Sequence, residues 1–212
     1  MKVLVVGANG HTGRLLVEYL ANNSDHHPYA MVRNENQEKD LMEIGAVEVV
    51  VSDLEEDIGR VTNGMDAIIF AAGSGSKTGP EKTIAVDQEG AIKLIDAAKS
   101  SGVQHFVMLS SIGADDPQGP IEHYLKAKKI ADDHLQNSGL TYTIVRPGRL
   151  THDRATGKVE LAEKIELMDE RSIPRGDVAH VLAASLEIDN AKNKVMELLS
   201  GDKEIELALK ML

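Results

Sequence analysis

Short apolar, β-branched runs alternate along the chain with segments whose apolar positions recur every three or four residues. Val3-Leu4-Val5-Val6 stops at Gly7, and Leu15, Leu16, Tyr19 and Leu20 then follow helical spacing. The same reading predicts strands over 2–6, 29–32, 46–51, 66–71, 104–109, 141–146 and 194–199. Helices are expected over 13–22, 35–44, 55–62, 81–101, 121–137, 177–187 and 203–211. A run such as Ala67-Ile68-Ile69-Phe70-Ala71 has no polar face, so it predicts a strand buried on both sides, as in a parallel sheet. Alternating β and α elements therefore imply an α/β fold with a doubly wound parallel sheet and right-handed crossovers. With no repeat and no linker rich in Pro, Gly and Ser, one domain over 1–212 is expected. In such a sheet ligands lie beyond the carboxyl ends of the strands, so the residues after each strand carry the chemistry.

The first strand ends in Gly7-Ala8-Asn9-Gly10-His11-Thr12-Gly13, a G-x-x-G-x-x-G loop between a buried strand and a helix. Gly7 permits a tight turn, Gly10 lets the backbone approach a pyrophosphate, and Gly13 lets the helix pack close. Free N–H groups at the helix start attract the anion, and Asn9, His11 and Thr12 complete the loop around it. Strand 2 ends at Arg33, twenty residues beyond Gly13. An acid there would bind the adenosine ribose, whereas an Arg favours a 2′-phosphate, which points to NADP with NAD as the alternative. Arg14 stands ready to assist; the opposing reading makes Arg33 a solvated loop residue. After strand 3, Asp53 and Leu54 either bracket the adenine or, for Asp53, cap a helix from Glu55. After strand 4, Ala71-Ala72-Gly73-Ser74-Gly75-Ser76 is small enough to lie flat against a dinucleotide, or else is a flexible loop. Pro147, closing strand 6, is suited to wall a nicotinamide pocket.

Strand 5 ends in Ser110-Ser111; Tyr124 follows thirteen residues beyond Ser111, and Lys128 four beyond that. Residues at i and i+4 share a helix face. This face also carries Ile121, Leu125, Ala131 and Leu135, so it is expected to be buried, where a Lys needs a partner. An ammonium beside a phenol is expected to lower the Tyr pKa towards neutrality and let it pass a proton. Ser111 is placed to hydrogen-bond a substrate carbonyl. The plain alternative packs Tyr124 in the core with Lys128 snorkelling out along it. The polar stretch 150–175 is the expected place for a small substrate cap, or for a simple connection.

A net charge of −11 argues against nucleic acid or an anionic membrane as partner. The absence of Cys removes disulfides, thiolate metal sites and thiol nucleophiles, and the histidines show no metal-ligand spacing. The expected setting is cytoplasmic and soluble, without a signal peptide, for a monomer or homodimer acting on a small molecule.

Taken together, these residues resemble the atypical short-chain dehydrogenase/reductase superfamily, in particular its small NAD(P)H-binding group that includes biliverdin reductase B and NmrA-like proteins. The resemblance rests on Gly7 to Gly13, Asp53-Leu54, Val86-Asp87-Gln88-Glu89-Gly90-Ala91, Ser110-Ser111, Tyr124 with Lys128, Ser138 to Gly148, and Ile173 to Ala179. It implies a Rossmann fold in which Tyr124 donates a proton, Lys128 also holds the nicotinamide ribose and Ser111 orients the carbonyl. The expected activity is reduction of a small carbonyl or related acceptor. A non-catalytic redox sensor and an epimerase or dehydratase of a small sugar derivative are the alternatives. Many relatives place Asn where this chain has Asp87, which leaves any proton-relay role at that position open.

Overall fold

A computed structural model describes residues 1–75, 78–166 and 172–212. Ser76, at the end of the small-residue run after strand 4, and 167–171 within the 150–175 stretch lie outside them. The main sheet contains β1 (Lys2–Val6), β2 (His27–Val32), β3 (Glu48–Val51), β4 (Ala67–Phe70), β5 (His105–Leu109), β6 (Tyr142–Pro147), β8 (Lys158–Ala162), β10 (Lys194–Ser200) and β11 (Lys203–Glu204). Its order is β11-β8-β10-β6-β5-β4-β1-β2-β3, with all pairs from β10 to β3 parallel and β8 antiparallel to both neighbours. The strand order reverses between β1 and β4, and a crevice opens there beyond the strand ends. This is the expected doubly wound Rossmann sheet.

Alternation along β1 divides the core. Val3 and Val5 join one apolar cluster with Leu16, Val17 and Leu20 of α1 (His11–Asn23) and with α6 (Arg175–Ala184) and α7 (Ile205–Lys210). Leu4 and Val6 face the other cluster, with Leu94 and Ile95 of α4 (Ala91–Ser101) and Ala131 and Leu135 of α5 (Glu122–Asn137). Four β1 residues are thus buried, on both faces of one strand.

Three expectations are corrected. No helix forms over 55–62, where turns replace it. The side chains of Asp53 and Asp57 accept the N–H groups of Glu55 and Gly59, and Gly59 and Gly64 take positive φ, so the backbone is committed to turns. The helix expected over 35–44 is shorter: a 3₁₀ turn (Glu35–Gln37) leads into α2 (Glu38–Glu43). The 150–175 stretch holds strands rather than a free connection. β7 (Arg149–Thr151) pairs in parallel with β9 (Ser172–Pro174), and β8 extends the main sheet. Asp177 accepts from the Thr156 and Gly157 N–H groups at 2.7–3.0 Å, tying this stretch to the start of α6.

His105 of β5 is buried, and burial lowers its pKa to about 4. Thr143 Oγ1 donates to the Ala191 carbonyl, so His105 Nε2 donates to Thr143 across 2.9 Å and the ring is neutral. The unfolded chain takes up this proton from about pH 6.5 downwards, the folded chain only near pH 4. Stability should therefore fall as pH drops through that window, by about 3 kcal/mol in total. Urea melts of wild type and His105→Gln at pH 7 and pH 4.5 measure it. The wild type should lose more than the variant.

Candidate active site

The site grows from the ends of the central strands. At the end of β1, Gly7 has φ +79°, and a Cβ there would lie 2.6 Å from the Ala72 backbone, so only glycine lets the β1 and β4 loops touch. At Gly13 a Cβ would meet the Gly7 carbonyl at 2.2 Å, which fixes how closely α1 approaches the strand. Gly10 caps α1 without a side-chain hydrogen bond, and the helix ladder begins with the Arg14 N–H on the Gly10 carbonyl. The N–H groups of His11, Thr12 and Gly13 are left without helical partners and make an anion cradle.

A cleft of about 930 Å³ runs from this loop along the strand ends. Of the residues expected to hold a dinucleotide, Gly7, Asn9, Gly10, His11, Thr12, Arg33, Asp53, Leu54, Ala71, Ala72 and Gly73 line it. Gly13 shapes the loop from behind. Arg33 is exposed and unpaired among the described residues, whereas Arg14 donates to Asn9 Oδ1 at 2.9 Å and also faces Asp40. Asp53 accepts from the Glu55 N–H in a turn, the role expected of a cap but without the helix. Pro147 departs from its expected place. It is the buried last residue of β6, its carbonyl accepting from the Ile112 N–H, and it does not line the cleft.

Tyr124 and Lys128 project from α5 towards the same cleft, with Lys128 Nζ 5.6 Å from the Tyr124 ring centre. Leu125, Ala131 and Leu135 are buried beside them, but Ile121 is exposed at the cleft rim rather than in the core. The lysine does not snorkel: it is 3% exposed and donates to the Leu109 carbonyl at 3.2 Å. Its counter-charge is Asp87, fully buried, with Oδ1 3.1 Å from Nζ as an ion pair off the hydrogen-bond line. Asp87 Oδ2 also accepts the Ser74 N–H at 2.8 Å, which ties the β4 loop to the pair. Asp87 is presented by a π-helical segment (Ile84–Gly90) between α3 (Pro80–Thr83) and α4.

This pairing changes the electrostatics expected from sequence. Burial opposes charge on Lys128, but the neighbouring Tyr124, Asp87 and Asp132 outweigh it and its pKa is raised. Burial is likewise the largest effect on Tyr124 and raises its pKa. Lys128 pulls that pKa down, while Asp87 and Asp132 push it up, and the net direction is upward rather than towards neutrality. Tyr124 therefore keeps its proton. Ser111 helps only by a hydrogen bond that favours the phenolate. The single hydroxyl proton can otherwise go to the Ile112 carbonyl at 3.2 Å, and it is Ser110 that lines the cleft.

Sequence reasoning did not find the support behind Ser110. Ser110 Oγ donates to buried Asp132 Oδ2 at 2.8 Å, and Arg146 reaches the same oxygen from Nε at 3.0 Å and Nη2 at 2.9 Å. Asp132 follows Lys128 by one helical turn, the spacing that could have flagged it.

A parallel doubly wound sheet, a glycine-bounded anion cradle at its switch point and a Tyr-Lys pair facing the same cleft define a dinucleotide-binding protein of the atypical short-chain dehydrogenase/reductase kind. A family model described as NAD(P)H-binding matches residues 7–189, and the chain belongs to that family. A Bacillus halodurans structure assigned provisionally as an NAD-dependent epimerase/dehydratase superposes with TM-score 0.96 at 48% identity, covering 100% of both chains. An uncharacterized sugar epimerase, YhfK, of Bacillus subtilis is 44% identical over 100% of both chains. The oxidoreductase ylbE of Lactococcus lactis is 32% identical with TM-score 0.82, over 100% of this chain and 96% of that one.

Proposed function

We propose that the protein is an NADPH-dependent reductase of small carbonyl compounds. The observation that carries this reading is the placement of the Tyr124 phenol, beside the buried Lys128–Asp87 pair, at a cleft whose other end is an anion cradle. The residues fit a dinucleotide: Gly7 and Gly10 leave room for a backbone-hugging pyrophosphate, whose oxygens the N–H groups of His11, Thr12 and Gly13 would hold, with the small Ala71-Ala72-Gly73 run lining the same cleft. When bound, the cofactor supplies the hydride.

The chain's own residues then handle the substrate. A carbonyl oxygen that gains negative charge needs a proton, and Tyr124 has one to give. Lys128 stays cationic and steadies the phenolate left behind, while Asp87 and the Leu109 carbonyl hold the ammonium in place. Ser111 interacts with the phenol, and Ser110 lines the same cleft with its hydroxyl held by Asp132.

An epimerase or dehydratase would first need this same tyrosine as a base. Purified protein should oxidise NADPH when given a panel of aldehydes, ketones and quinones. An epimerase would invert a sugar with no net change in NADPH absorbance, and a sensor would bind the cofactor without consuming it. Either outcome overturns the proposal.

Arg33 favours the 2′-phosphorylated cofactor, since it lines the cleft unpaired and a charge-assisted hydrogen bond is worth about 1.5–3 kcal/mol. Wild type should bind NADPH roughly 10- to 100-fold more tightly than NADH, and Arg33→Asp should erase or reverse the preference. Dissociation constants from cofactor fluorescence measure both. Equal affinities in the wild type would end the 2′-phosphate reading.

A further inference from the structure

We infer that Arg175 anchors an anionic group on the substrate, most simply a carboxylate. The inference rests on the carbonyl-reductase reading of the same cleft and names a class of substrate within it.

Arg175 lines the cleft together with His123, Tyr124 and Leu150. It gets there because β9 pairs with β7, Leu150 opposite Ile173 and Thr151 opposite Pro174, and the chain then turns into α6 at Arg175. Its Nη1 is buried without a hydrogen-bond partner, and among the described residues the guanidinium makes no hydrogen bond or ion pair. The contrast with Arg146, paired to both Asp132 and Asp115, and with Arg14, paired to Asn9, is direct.

Local energetics give the residue no reason to be there. As the first residue of α6 it places positive charge at the positive end of the helix dipole. The acid in that first turn, Asp177, is already occupied by Thr156 and Gly157. A buried donor left unmade costs about 1–3 kcal/mol, so the site is built at the expense of the fold, as ligand sites are. A planar fork of donors fits a carboxylate in two parallel hydrogen bonds. In a chain of net charge −11, an anionic substrate is repelled at long range and needs such a local cation. The cofactor's phosphates are met elsewhere, by the α1 N–H groups and Arg33, which leaves Arg175 for the substrate.

Titration calorimetry of the protein–NADP⁺ complex with benzoate, and with benzamide as the neutral match, tests this. Benzoate should bind the wild type and at least tenfold more weakly to Arg175→Met, with a smaller loss in Arg175→Lys and no change for benzamide. NADP⁺ affinity should be unaltered in both variants. The melting temperature of Arg175→Met should stay close to wild type, because among the described residues no hydrogen bond or ion pair of the guanidinium is lost. In turnover, phenylglyoxylate should lose its advantage over its methyl ester in Arg175→Met. Benzoate that fails to bind wild type, or binds Arg175→Met equally well, overturns the inference. So does loss of NADP⁺ affinity with benzoate unaffected, which would place the guanidinium on a cofactor phosphate. If benzoate binding follows Arg175 but no carbonyl is reduced, the anion site stands and the reductase reading fails.

Discussion

Tyr124→Phe is expected to lower the rate of carbonyl reduction by about 10²- to 10⁴-fold, the range that a positioned general acid contributes. NADPH binding should stay within about twofold of wild type, because the hydroxyl lies at the substrate end and the cradle's donors are backbone N–H groups on α1. Stopped-flow measurement of NADPH oxidation, with cofactor affinity measured separately, divides the two effects. Since Tyr124 holds its proton through the neutral range, the wild-type rate should be flat there and fall only on the alkaline side, as the phenol ionises. Full activity in the phenylalanine variant would remove Tyr124 from the chemistry.

Loss of the Asp87 charge should have the largest effect on stability. Asp87 and Lys128 are 0% and 3% exposed, and removing one member of such a pair leaves an uncompensated buried charge, typically at a cost of about 3–5 kcal/mol. For a domain of this size that corresponds to a fall in Tm of roughly 6–20 °C. Asp87→Asn keeps an acceptor for the Ser74 N–H while discarding the charge, so it isolates the electrostatic part. In that variant Lys128 is no longer neutralised, and its pull on Tyr124 is opposed by fewer anions. The alkaline limb of the pH–rate profile should consequently move to lower pH. A melt unchanged from wild type, or a limb that stays in place, would show that the pair does not set the phenol's charge.

Much of this architecture was legible in the chain because its parts are local. Four apolar residues ending at a glycine mark β1, an unbroken Ala67-Ile68-Ile69-Phe70 marks β4, and the four-residue step from Tyr124 to Lys128 puts both on one helix face. What escaped depends on contacts between distant segments. β8 reads Lys-Val-Glu-Leu-Ala and only Val159 is fully buried, so its pattern is that of an edge rather than a core strand. β7 and β9 are three residues each and exist only by pairing with one another. Glu55 to Thr62 has helix-forming residues, but Asp53, Asp57 and Gly59 commit the backbone to turns. The direction of the Tyr124 pKa was missed for the same reason: the burial that raises it most comes from distant segments, and Asp87 adds to it from another helix. Arg175 is marked by the lack of a hydrogen-bond or ion-pair partner among the described residues, a property that no spacing encodes.

The π segment that carries Asp87 has a consequence for how such proteins diverge. A π turn holds one residue more than an ordinary helical turn, and its loss would restore regular geometry. Deleting a single residue between Ile84 and Asp87 would smooth the helix with its two ends nearly in phase, but would turn Asp87 relative to α4 by most of the ~100° step of one helical residue and so swing it off the ammonium. Deleting one between Asp87 and Gly90 would instead leave Asp87 nearly in phase with α4 and shift it against α3. A lineage shedding the residue before Asp87 would have to surrender the buried lysine as well, so length variation on that side of the turn should sort relatives that keep proton-transfer machinery from those that have given it up.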